Sequence, residues 1–158
     1  MITGNDLLYL QRCISLAKEA LDAGDEPFGS LLVAEDGTIL FEDRNRVAGG
    51  DSTQHPEFAI ARWAAANMSP EAREKATVYT SGEHCPMCAA AHGWVGLGRI
   101  VYVSSSAQLS TWLQEWNVPS APVKALSIQD VVPGAQVEGP VLELADDIQE
   151  LHRRFYQV

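Results

Sequence analysis

Three side chains able to ligate a soft divalent metal stand in two short motifs, His55-Pro56-Glu57 and Cys85-Pro86-Met87-Cys88, with thirty residues from His55 to Cys85. Each motif falls at the predicted start of a helix, since proline suits the first helical position. Unpaired N–H groups and the partial positive charge of a helix N-terminus favour thiolate over thiol. Two thiolates and one neutral imidazole make a three-ligand zinc site with its fourth tetrahedral position open to water, which is the mark of a catalytic zinc. Glu57 lies two residues after His55, so it sits beside such a metal rather than on it. Its carboxylate can take a proton from water that zinc has made acidic.

Other readings of the cysteine pair are a structural zinc knuckle and a redox dithiol. A structural site needs a fourth protein ligand, for which the chain offers Cys13, His84, His92 and His152. A redox pair leaves His55 and Glu57 without a role. A non-catalytic zinc-binding interaction domain is therefore the alternative of a different class, and it would close the fourth position with protein. Cys13 lies on the apolar stripe of the first helix and reads as a small core residue.

The elements that must position these groups follow from periodicity. Asp6 to Ala23 is amphipathic at helical spacing, with Leu7, Leu10, Ile14, Ala17 and Leu21 on one stripe and Gly24 as a stop. Gly29 to Val33 and Thr38 to Phe41 read as strands of a hairpin turning at Asp36-Gly37. A helix is expected from Pro56 to about Met68, a buried strand over Thr77 to Ser81, a helix from Pro86 to about Leu97, and a strand over Arg99 to Val103. Ala107 to Trp116 is read as helix, Val123 to Ile128 as the last strand, and Val141 to Tyr156 as a terminal helix. Strands alternating with helices imply an α/β layered sheet.

At 158 residues and 17.2 kDa, the span 1–158 has the size of one domain. Eleven basic against twenty-one acidic residues give a net charge of −10, which disfavours a polyanionic partner and strong nucleic-acid binding. No apolar run approaches the ~20 residues that cross a bilayer, so no membrane partner is expected. Met1 to Asp6 has no secretory pattern, and three cysteines make no disulfide framework, so a cytoplasmic location is expected.

The two motifs also fit the H-x-E and C-x-x-C parts of the zinc-deaminase signature, with His84 in place of the proline that precedes its first cysteine. From about Pro27 to Val103 the chain resembles the cytidine-deaminase-like superfamily, in its guanine, cytosine and tRNA-adenosine deaminase branch, with guanine deaminase the nearest likeness. Pro27-Phe28-Gly29 is similar to the family's first strand and Asn45 to its pocket asparagine. The run from Thr80 to Cys88 resembles its second metal motif, and Gly98-Arg99-Ile100-Val101-Tyr102 its fourth strand.

That resemblance implies a three-layer α-β-α sandwich with a central mixed five-stranded sheet. It also implies one zinc-dependent deaminase domain over 1–158, a bound Zn2+ and a homodimer. The implied reaction is hydrolytic deamination of an amino-substituted nucleobase, a small-molecule substrate, with release of ammonia. Guanine or a related aminopurine or triazine comes first, cytosine or a nucleoside next, and tRNA adenosine third. His55, Cys85 and Cys88 would hold the metal and Glu57 would shuttle protons. Phe28 and Trp94, which stands six residues after Cys88, would stack the base. Asn45 and Glu115, twenty-seven residues after Cys88, would bind its polar edge. Tyr156 would close the pocket, in its own subunit or a partner's. Trp112 and Trp116 read equally as lid or core. Glu83 reads as a brace for the loop before Cys85. Two positions depart from the family pattern: Pro56 where alanine is usual, and His84 where proline is usual. His84 could add a pocket donor or compete for the metal.

Overall fold

The computed structural model describes residues 1–158. In chain order the elements are α1 (Gly4–Asp22), β1 (Gly29–Val33), β2 (Ile39–Arg44), α2 (Pro56–Asn67), α3 (Pro70–Lys75), β3 (Thr77–Gly82) and α4 (Pro86–Val95). They continue with β4 (Arg99–Ser104), α5 (Ser106–Glu115), α6 (Ile128–Val131), β5 (Val137–Glu138) and α7 (Leu142–Tyr156). The five strands form one mixed sheet in the order β2-β1-β3-β4-β5. β1 runs antiparallel to β2 and β3, while β3, β4 and β5 are parallel.

Alternation along the strands gives the sheet two apolar faces. Leu31, Val33, Tyr79, Val101 and Val103 pack with Leu10, Cys13 and Leu16 of α1 and with Leu144, Ile148 and Leu151 of α7. Leu32 and Val78 face the other way, against Ile60, Ala61 and Ala64 of α2. Ile100 and Tyr102 meet Ala89 of α4 and Ile128 of α6. Three layers result, with the expected sandwich order. Gly29 is required by the closeness of α1: a Cβ there would lie 2.4 Å from the Cys13 carbonyl oxygen. No helix is long and apolar enough to cross a membrane.

The last strand is not where apolar periodicity puts it. Val123 to Ile128 forms no strand; Ser127 and Asp130 make a reciprocal cap that starts α6 at Ile128. The edge strand β5 has only two residues, Val137 and Glu138, before the Gly139-Pro140 step, too few for alternation to show.

Candidate metal centre and active site

Two helix starts converge to build the site. His55 and Cys85 occupy the cap positions of α2 and α4, in extended backbone, and each is followed by proline in the first turn. Cys88 lies one turn into α4 and is fully buried. The His55 Nδ1 lies 3.5 Å from both the Cys85 and the Cys88 Sγ. All three ligand atoms fall within 4.8 Å of one another. Zinc at about 2.3 Å from sulfur and about 2.0 Å from nitrogen in a tetrahedron holds such atoms about 3.5 Å apart. The donor set and its spacing therefore fit zinc.

Without the metal the three donors polarise one another. The Cys88 thiol, followed by the His55 ring, holds Cys85 as a thiolate, with its pKa down at about 4. That bond to Cys85, with the Glu57 and Glu26 charges, pushes His55 up to about 9. Cys88 is driven the opposite way from Cys85, first by the Cys85 thiolate and then by burial, and stays protonated.

Glu57, on the inner face of α2, is 6% exposed. The hydroxyls of Ser30 and Thr80 lie 3.1 and 2.9 Å from the same oxygen, Oε1. They are partners across the β1–β3 ladder. Burial pushes the Glu57 carboxyl up, while the His55 charge and the two hydroxyls pull it down. A buried carboxylate with raised pKa beside a metal set is suited to move protons near neutral pH.

Around this centre the expected residues divide. Phe28 packs toward the terminal helix and the end of β3: its ring contacts His152 edge-on at 5.1 Å, and a Cβ at Gly82 would come within 3.0 Å of it. Asn45 is 1% exposed, and its Oδ1 accepts from the Val47 N–H, so it shapes the turn after β2. Tyr156 is half-buried in the last turn of α7, its ring edge-on to Phe155 at 4.9 Å, and burial and then the Glu26 charge push its hydroxyl up. Trp94 and Glu115 stay outside the cluster within one chain. Trp94 is 90% exposed at the end of α4, and Glu115 ends α5 with its side chain in solvent. Both lie at exposed helix ends, a placement that spacing from Cys88 does not report.

His84 joins neither the metal nor the solvent. It is 1% exposed and stands edge-on to His92 at 5.5 Å. Glu83 braces as expected, accepting from the backbone N–H of Ser106 and of Ile128. Trp112 packs at the margin of the α1–α7 core, with Trp116 stacked on it at 6.4 Å. Sequence reasoning missed Ser30, Thr80 as a partner of Glu57, and Glu26. Ser30 carried a signal, a hydroxyl residue inside an otherwise apolar strand, whereas Thr80 stands among the other hydroxyl residues Thr77, Tyr79 and Ser81 of β3. An open groove of about 420 Å³ runs past His55 between Phe41, Phe58, Arg62 and Trp63, but neither thiol nor Glu57 lines it.

Comparisons with known proteins agree with this geometry. Residues 3–104 match the family described as the cytidine and deoxycytidylate deaminase zinc-binding region. A probable cytosine deaminase of Schizosaccharomyces pombe is 32% identical over 162 residues, spanning 98% of this chain and 94% of that protein. A guanine deaminase of Bacillus subtilis is 34% identical over 102 residues, 63% of this chain and 65% of its own length. In fold, a solved guanine deaminase from Nitrosomonas europaea superposes with a TM-score of 0.74 at 19% identity, covering 100% of this chain and 87% of that one.

Proposed function

Because the chain belongs to the family of the cytidine and deoxycytidylate deaminase zinc-binding region, and is thus a zinc-dependent hydrolytic deaminase of nucleobases or nucleosides, we propose that its substrate is a free base. Guanine or a related aminopurine or triazine is the first choice. The observation that carries the reading is the buried Glu57 carboxylate, held by Ser30 and Thr80 beside three metal-ligand atoms.

His55, Cys85 and Cys88 would hold the zinc, which when bound supplies Lewis acidity that makes water ionisable near neutral pH. Glu57 takes the proton from water as oxygen adds to the ring carbon bearing the amine. It then delivers that proton to a ring nitrogen, and a further proton lets ammonia depart. Backbone N–H groups at the start of α4 offer donors to the developing negative charge.

A small neutral substrate suits the surroundings. The Glu57, Glu26 and Asp51 charges act on His55. A polyanion meets a chain of net charge −10 there. Cytosine is the second reading, favoured by the Schizosaccharomyces pombe relative along nearly the whole chain. Pairing of two copies is part of the proposal, because it offers cover to Trp94, which one chain leaves 90% exposed.

Ammonia release across guanine, other aminopurines, aminotriazines, cytosine, their nucleosides and tRNA tests the reading. The highest kcat/KM is expected with a free purine or triazine base. Turnover confined to cytosine selects the second reading, and turnover confined to nucleosides or tRNA overturns both.

A further inference from the structure

Ser30 and Thr80 are register partners on the neighbouring strands β1 and β3, and both are fully buried. Alternation puts them on the sheet face of Leu32 and Val78, which packs against α2. Their two hydroxyls make four contacts at hydrogen-bond distance. Ser30 Oγ lies 3.1 Å from Glu57 Oε1 and 2.9 Å from Thr80 Oγ1. Thr80 Oγ1 lies 2.9 Å from Glu57 Oε1 and 2.9 Å from the Gly82 carbonyl oxygen. A hydroxyl has one hydrogen, which rotates to suit its acceptors. Each of the two therefore chooses between Glu57 Oε1 and one alternative: Thr80 Oγ1 for Ser30, and the Gly82 carbonyl for Thr80.

The choice follows the charge on Glu57. An ionised acceptor makes a hydrogen bond about twice as strong as a neutral one. With the carboxylate ionised, both hydroxyls donate to Oε1. With the carboxyl neutral, Oε1 draws them less, so Ser30 donates to Thr80 and Thr80 donates to the Gly82 carbonyl. That second chain ends on a backbone acceptor and leaves neither hydroxyl unbonded. Both arrangements use the same heavy-atom positions. In a fully buried setting this matters, because an unbonded hydroxyl and a carboxylate without donors are each costly.

We propose that Ser30 and Thr80 are positioning residues that hold Glu57 in one place through both of its charge states. Thr80 turns its O–H from Oε1 to the Gly82 carbonyl when the carboxyl takes up the reaction's proton, and back when the proton leaves. Both hydroxyls keep their own hydrogens throughout, and only the direction of each O–H changes. With Oε1 held by two donors, the proton in transit belongs on the other oxygen, Oε2. No heavy atom has to reorganise between uptake and delivery, which keeps the barrier to each transfer low. This rests on the proton-carrying role of Glu57 given above.

The experiment measures kcat, KM, zinc content and unfolding midpoint in the wild type, Thr80→Val, Thr80→Ser, Ser30→Ala and the Ser30→Ala/Thr80→Val double variant. The substrate is the base that the wild type deaminates fastest, at each protein's optimum pH. Thr80→Val keeps the shape and removes the hydroxyl. It should lower kcat about 10–100-fold, change KM less than about threefold and leave zinc unchanged. Thr80→Ser should recover most of the kcat. Ser30→Ala should cost about 3–10-fold in kcat, which also gives an independent reading should Thr80→Val fail to fold. The double variant should lose less than the product of the single losses, because Ser30 has Thr80 as its second acceptor. In the Glu57→Gln background, where the side chain carries no changing charge, Thr80→Val should lower the residual rate less than about threefold. Unchanged kcat, a loss carried by KM, no recovery in Thr80→Ser, loss of zinc, or the same fold-loss in the Glu57→Gln background would overturn the assignment. Near-wild-type turnover of Glu57→Gln defeats the proton-carrying reading along with it. An impaired Glu57→Gln beside fully active Thr80→Val and Ser30→Ala defeats this inference only.

Discussion

Ser30 and Glu57, 27 residues apart in the chain, meet in the interior with the serine Oγ 3.1 Å from the glutamate Oε1. The contact exists because β1 lies under the start of α2 and because residue 30 shares the sheet face of Leu32, which packs on that helix. A hydroxyl bonded to the carboxylate favours its charged form. Ser30→Ala should therefore raise the pKa of Glu57, moving the acid limb of the kcat/KM profile upward by about one pH unit. An unshifted limb would separate Ser30 from the proton-transfer step.

Glu57→Gln tests the proton carrier itself. The substitution keeps the size of the side chain and leaves His55, Cys85 and Cys88 in place. Zinc content and unfolding midpoint should stay near wild type, while turnover falls by at least ~10²–10⁴-fold. Loss of zinc would make Glu57 a ligand instead.

Zinc uptake should displace protons. With His55 raised to about 9 and Cys88 protonated, the metal-free site carries both protons at neutral pH, while Cys85, at about 4, has already lost its own. Binding should release about two protons per zinc, so affinity falls as pH falls. Calorimetry in buffers of different ionisation enthalpy reads that number directly. Cys88→Ala should bind zinc far more weakly and lose activity with it.

Asp6 and Arg99 join α1 to β4 across 93 positions of sequence, through two bonds of 3.0 Å. Burial alone would raise the Asp6 carboxyl, yet the bonds from Arg99, Tyr79 and the Thr3 N–H hold it well below the usual range. Asp6→Asn should cost about 3 kcal/mol, since it leaves Arg99 half-paired in a largely buried place. Urea unfolding measures the loss. A change under ~0.5 kcal/mol would place the pair among weak surface contacts.

His152 makes stability fall in mild acid. It is 1% exposed, between Phe28 and Trp112, and burial lowers its pKa to about 4. The unfolded chain takes up this proton near pH 6.5 and the folded chain only near 4. Stability is therefore full above about 6.5 and declines between those values as pH drops. Between pH 7.5 and 5 the loss from this one group should be about 2 kcal/mol. His84, also depressed by burial, adds a loss of the same sign. His152→Leu should remove only its own share of the slope, which paired denaturant curves at the two pH values would show.

The sequence alone determined the donor set. Proline after His55 and after Cys85 starts two helices, and local backbone preference suffices to put imidazole and thiol at their caps. The main helices and the first four strands were likewise legible, since each carries enough alternating or helical-period apolar residues to show its face. Two features escaped that logic: a two-residue edge strand has no period, and an apolar run beginning at Val123 yields to the cap at Ser127. Only the tertiary structure decided which polar residues serve the site. Ser30 and Thr80 reach Glu57 through strand register, and His84 turns inward onto His92. Trp94 and Glu115, at the right distance from Cys88 in sequence, end on exposed helix termini. The reason is the range of the forces involved. Helix starts and strand faces are set by neighbours a few residues away, whereas hydrogen bonds between hydroxyl, carboxylate and imidazole depend on how separate elements pack.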